Sequence, residues 1–189
     1  MKKFRILAIL WVVLVAGTLA GCQKNNNNWD IIIEDITTND AVISYNDNLV
    51  DLASQCIISE DAVWNAYNDE SASADDIQSA IVNTLNECNS SIASIENLGW
   101  REGDNSLQEG VLVILRKDLE YYTKLSELVP YLWIEDQLTE EQAATYDTIV
   151  DEIERIDSEL NEANNNLILI QEQFASNHGY ELEEQSDVE

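Results

Sequence analysis

The chain has 189 residues, with 37 aspartates and glutamates against 9 lysines and arginines, and a formal net charge of −28. Nucleic acid is bound through basic side chains that displace counterions from phosphates, so a surface this acidic excludes that partner. A single histidine likewise excludes a two-histidine zinc site and the paired Glu-x-x-His motifs of di-iron bundles.

Lys2, Lys3 and Arg5 precede an apolar run of about fourteen residues, Ile6 to Leu19, which ends in small residues. This is the pattern of an export signal, and it is too short to span a bilayer, which takes about twenty residues. Leu19-Ala20-Gly21-Cys22 resembles the lipobox of bacterial lipoproteins. The resemblance covers residues 1–22. It implies that the Cys22 thiol carries a diacylglycerol, that residues 1–21 are removed and that the new amino terminus is acylated. The mature chain is then expected on the extracytoplasmic side of the cell membrane or outer membrane. In a two-membrane bacterium, Gln23 in place of an aspartate implies that the outer one is permitted. Each buried methylene contributes about 0.8 kcal/mol, so two or three acyl chains hold a protein without a spanning helix. After cleavage all 37 acids remain with six bases, Lys24, Arg101, Arg116, Lys117, Lys124 and Arg155, a formal charge of −31 that repels anionic lipid. The acidity reads first as solubility and a solvated helix surface. Salt adaptation, or a cationic partner or ion, is the alternative.

Gln23 to Asn28 reads as a flexible tether, and Trp29 to Ile36 as an extended arm or helical turn, so that 22–37 is tether and arm. A helical period starts at Thr38 or Asn39 and runs to about Tyr67 through Val42, Tyr45, Leu49, Leu52, Cys56, Val63 and Ala66, interrupted at Ser59. After a polar turn, Ser73 with Asp76 opens a second helix, with stripe Ile77, Ile81, Leu85, Cys88, Ile92 and Ile95, closing near Gly99. Ser106 and Glu109 form the pattern of a capping box for a third helix, which carries Leu107, Val111, Ile114, Leu115, Leu119, Tyr122, Leu125 and Val129 and meets Pro130. Thr139 and Gln142 open a fourth, in which Tyr146, Ile153, Leu160, Leu167 and Phe174 recur at sevens. It ends at His178-Gly179, and residues 180–189 read as a disordered acidic tail. Four amphipathic helices on short loops predict an all-α fold, an antiparallel up-down-up-down four-helix bundle over residues 38–179.

With Cys22 lipidated, Cys56 and Cys88 are the remaining cysteines. They lie equidistant from the turn near Ala72, so in an antiparallel hairpin they stand level and are expected to bridge. Free cysteines serving as small hydrophobes are the alternative. Reactive chemistry is sparse. His178 reads as a helix-end side chain interacting with carbonyls. No nucleotide, nucleophile-elbow or calcium-loop motif occurs, so no catalytic residue, metal ligand or cofactor is nominated. Trp64, Tyr67, Tyr131 and Trp133 gather at the membrane-distal end, either as a stacking platform for a ligand or as plugs closing the core. The expectation is a non-enzymatic, membrane-anchored interaction or envelope-structural module with an unknown protein or cationic partner. A receptor using the aromatic patch or an acidic groove is the alternative.

Overall fold

The computed structural model describes residues 32–99, 105–134 and 137–179, with side chains from Ala41 onward. Cys22, the tether, the loop around Trp100 and the acidic tail lie outside these residues. The protein is all-α: α1 (Ile32–Asn68), α2 (Ala74–Glu96), α3 (Ser106–Leu128) with a 3-10 turn at Val129–Tyr131, and α4 (Glu140–Asn177). No strand occurs among the described residues.

The first helix begins at Ile32, ahead of the expected start at Thr38 or Asn39, so part of the expected arm is helical. No glycine or proline stands between Ile32 and Asn68, and without such a breaker the run has no reason to stop. Beyond Asn68 the Asp69 carboxylate accepts from the Ser71 N–H at 2.8 Å and hydroxyl at 2.7 Å, folding the chain back. Ser73 and Asp76 then form the expected reciprocal capping box, as Thr139 and Gln142 do for α4.

The third helix corrects the expectation. Its N-cap is Asn105, without a side-chain cap bond, so Ser106 is already the first helical residue and Glu109 falls one place too late for a box. The N3 position belongs to Gln108, whose side chain works between helices: its amide donates to the Ile95 carbonyl at 2.6 Å and its oxygen accepts from the Tyr45 hydroxyl at 3.2 Å. Pro130 shifts the end of α3 into the 3-10 turn. Gly179, with φ +76°, follows α4 in the left-handed region that glycine occupies without strain.

Successive helices pack against each other, and α1 also reaches α3. Cross-helix partners descend in number as their mates ascend. Cys56 meets Cys88, and Thr84 donates to the Ser59 carbonyl at 2.9 Å. Ile95 meets Gln108 and Gln78 meets Ser126. Lys117 pairs with Glu159, Arg155 with Glu120, and Lys124 with Glu152. Tyr45 of α1 stacks near Phe174 of α4, with ring centroids 6.2 Å apart. At the α3–α4 seam Gly110 permits close approach, since a Cβ there would stand 2.9 Å from Leu167 Cδ1 and 3.2 Å from Ile170 Cδ1. The heptad positions Tyr146, Ile153, Leu160, Leu167 and Phe174 are all buried. Every described lysine and arginine, Arg116, Lys117, Lys124 and Arg155, lies on α3 or α4 in an ion pair with a glutamate. No described helix is long and apolar enough to cross a membrane.

Candidate functional site

On α1, residues 56, 60 and 63 share one face, and on α3 so do 115, 118 and 122, because side chains three and four apart align along a helix. Both faces point into the core, and each carries one acid there: Glu60 is 4 % exposed and Asp118 0 %. Tyr122, from the same turn of α3, is equally buried, and its ring meets Tyr121 edge-on at 5.3 Å. Neither Asp118 oxygen, nor Glu60 Oε1, nor the Tyr122 hydroxyl makes a hydrogen bond of good geometry, although the Tyr122 hydroxyl is near enough to the Glu60 carboxyl to act on it. Such buried groups cost about 1–3 kcal/mol each, more when charged.

Burial drives the electrostatics. Glu60 is pushed up to about 9, first by desolvation and then by the neighbouring Asp118 carboxyl, with the Tyr122 hydroxyl pulling the other way. Desolvation pushes Asp118 up to about 7. Both tyrosine hydroxyls are raised, first by burial and then by nearby acids: Asp157, Glu60 and Asp118 for Tyr121, and Glu60 and Asp118 for Tyr122. Asp157, half-buried on α4, is raised by burial as well. The described lysines and arginines are engaged in surface pairs, so protons rather than fixed cations neutralise this acid layer at neutral pH.

Beside Glu60 lies the disulfide. Cys56 and Cys88 are joined, with α-carbons 4.4 Å apart, as their equal distance from the turn predicts. Their Sγ atoms and a Glu60 carboxylate oxygen lie within 4.8 Å of one another. Ser59 and Thr84 complete this level of the α1–α2 seam, the Ser59 hydroxyl donating to the Cys56 carbonyl at 2.5 Å.

Of the four aromatic residues expected at the distal end, three fall in two ring contacts. Trp64 meets Tyr67 at 6.2 Å, and Tyr131 meets Tyr146 at 6.4 Å, both edge-on. Trp133 is 51 % exposed. None of Trp64, Tyr67, Tyr131 and Trp133 lines the open groove of about 450 Å³ between α3 and α4, whose walls are Lys124, Glu127, Glu141, Ala144, Thr145, Thr148, Ile149 and Glu152.

Sequence reasoning passed over Glu60 and Asp118. It counted Leu119, which packs partly buried against the core, but not the neighbouring Asp118, and read Ser59 as an interruption on α1. The available signal was a carboxylate at a three-four step of an apolar stripe, which is where a buried polar residue sits. The chain matches no family model, no curated protein and no solved structure.

Proposed function

We propose that this protein is a lipid-anchored extracytoplasmic lipoprotein. Its helical domain, read as an antiparallel up-down-up-down four-helix bundle, serves as a non-enzymatic interaction or envelope-structural module. The observation that carries the reading is the Leu19-Ala20-Gly21-Cys22 sequence after a basic and apolar leader. In that setting Cys22 is the acylated residue, and the acyl chains supply the membrane attachment that no described helix could provide. The Cys56–Cys88 bridge supports an oxidising compartment, where such bonds persist. The descending cross-helix pairs support the bundle topology. The burial of Glu60 and Asp118 supports a non-catalytic role, because a general acid or base must come within hydrogen-bond reach of its substrate.

Membrane fractionation of producing cells tests the anchor. The processed chain should sediment with membranes and yield a first peptide carrying acyl mass, and Cys22→Ser should move it to the soluble fraction. Wild-type chain that is soluble and free of acyl mass would refute the reading.

A second reading, a receptor for a cationic ligand, is favoured by the α3–α4 groove, where Glu127, Glu141 and Glu152 face one lysine, Lys124, itself paired with two of them. Titration with a diamine should then give binding that Glu141→Gln weakens.

A further inference from the structure

Glu60 is buried with one carboxylate oxygen, Oε1, lacking a hydrogen bond of good geometry, and a carboxylate oxygen of the same side chain lies within 4.8 Å of two sulfur atoms that are bonded to each other. In the bridged form no well-formed hydrogen bond satisfies Oε1. A different form of the same residues does. With the S–S bond open, two thiols and a carboxyl converge from two helices. Cys56 and Glu60 stand four residues apart on one face of α1, the spacing that lets two side chains of a helix grip one ion, and Cys88 comes from the facing helix. Metal–sulfur bonds of about 2.3 Å and metal–oxygen bonds of about 2.0–2.2 Å place neighbouring tetrahedral ligands roughly 3.5–3.8 Å apart. The carboxylate oxygen lies within 4.8 Å of both sulfurs and has to close by no more than about 1 Å, while the sulfurs, bonded here, have to part to about the ligand spacing once the bridge opens.

We propose that the dithiol form of this chain binds one divalent cation of the zinc type between the Cys56 and Cys88 thiolates and the Glu60 carboxylate, and that closing the Cys56–Cys88 bridge expels it. Two soft sulfur donors with one oxygen select zinc over calcium or magnesium, which take all-oxygen shells. A fourth tetrahedral position falls to water. The cation replaces protons in an acid layer that holds no fixed positive charge, and uptake releases the two thiol protons and the proton of Glu60. Oxidation runs the exchange backwards. The two thiolates form the S–S bond and pass two electrons to a disulfide oxidant, which takes two protons and leaves as a dithiol. Glu60 regains a proton, and the ion returns to solvent. The inference concerns the chain before its bridge forms, or after a dithiol has reduced it, and does not depend on the lipid anchor.

The test uses the purified chain with Cys22→Ser, so that Cys56 and Cys88 are its only thiols. Cobalt is titrated in with and without a phosphine reductant, and zinc is then added in competition. The reduced protein should take up one cobalt with a sulfur-to-metal charge-transfer band, and one equivalent of zinc should bleach it. The oxidised protein should show neither response. Glu60→Gln should weaken zinc binding tenfold or more, and Cys88→Ser should abolish the band. Far-UV circular dichroism follows the same samples: if reduction alone loosens the helices, zinc should restore them. A reduced protein with no charge-transfer band and no zinc-dependent gain of helix would overturn the proposal. So would binding unchanged by oxidation, or a Glu60→Gln affinity equal to wild type.

Discussion

Raising the pH from 5 to 7 should destabilise this protein, against the trend for one whose surface carboxylates are salt-bridged. In the unfolded chain Glu60 and Asp118 ionise near 4.5 and 3.8, whereas in the folded core burial pushes them up to about 9 and about 7. Their contribution is whole below the unfolded values and is lost as pH rises through the folded ones. Between pH 5 and 7 the folded state therefore retains at least one proton that the unfolded state has released, and each such proton lowers stability by about 1.4 kcal/mol per pH unit. One proton over two units amounts to about 3 kcal/mol. With a urea m-value of about 2 kcal/mol/M, the midpoint should fall by roughly 1.5 M. Glu120 and Glu159 act in the opposite sense, since hydrogen bonds from Lys117 and Arg155 hold them low, but their contribution is lost only as pH falls below the ordinary carboxylate range. Urea unfolding at pH 5, 6, 7 and 8, followed by circular dichroism, checks the slope. Asp118→Asn removes one titrating group and its push on Glu60, so the variant should show a shallower slope than wild type and exceed it in stability at pH 8. A wild-type midpoint that stays level from pH 5 to 8, or an Asp118→Asn slope equal to wild type, would refute the reasoning.

Removing the bridge with Cys56→Ser and Cys88→Ser should cost roughly 4 kcal/mol, the chain-entropy value for a sequence separation of 32, read as a lower melting temperature with helix content retained at 10 °C. Gly110→Leu should cost about 2–3 kcal/mol, because its side chain would have to enter space held by Leu167 and Ile170; Gly110→Ala, which meets only the movable ends of those chains, should stay within about 1 kcal/mol of wild type by urea midpoint. Thr139→Ala should lower stability by about 1 kcal/mol through loss of the α4 cap, read as a lower urea midpoint.

The helices were legible because their signals are local. The sevens of α4, the Ser73 and Thr139 boxes and the symmetry of Cys56 and Cys88 about their turn all survive in the folded chain. The misses have a common physical origin. Core positions were assigned by hydrophobicity, so Asp118, Thr84 and Ser91, all buried, were passed over beside Leu119, Leu85 and Ile92, which are only partly buried against the core. Angular position along the helix, rather than residue type, decides what is buried. The Ser106 box failed because Gln108 is drawn away to Ile95 and Tyr45, a tertiary demand that no short window displays.

Among the described helices positive charge is confined to α3 and α4, which carry four bases and fourteen acids, so the molecule is negative on both sides and somewhat more so on the α1–α2 hairpin. From Ile32 to Glu96 the α1–α2 hairpin holds thirteen acids and no lysine, arginine or histidine. Approaching any charged boundary, the protein experiences a torque before it makes contact. A negative sheet weakly favours turning the hairpin outward, and a positive one weakly favours drawing it in. The bias acts over about 8–10 Å at physiological ionic strength and fades in strong salt. Orientation at a surface thus becomes a property of the fold rather than of any single contact.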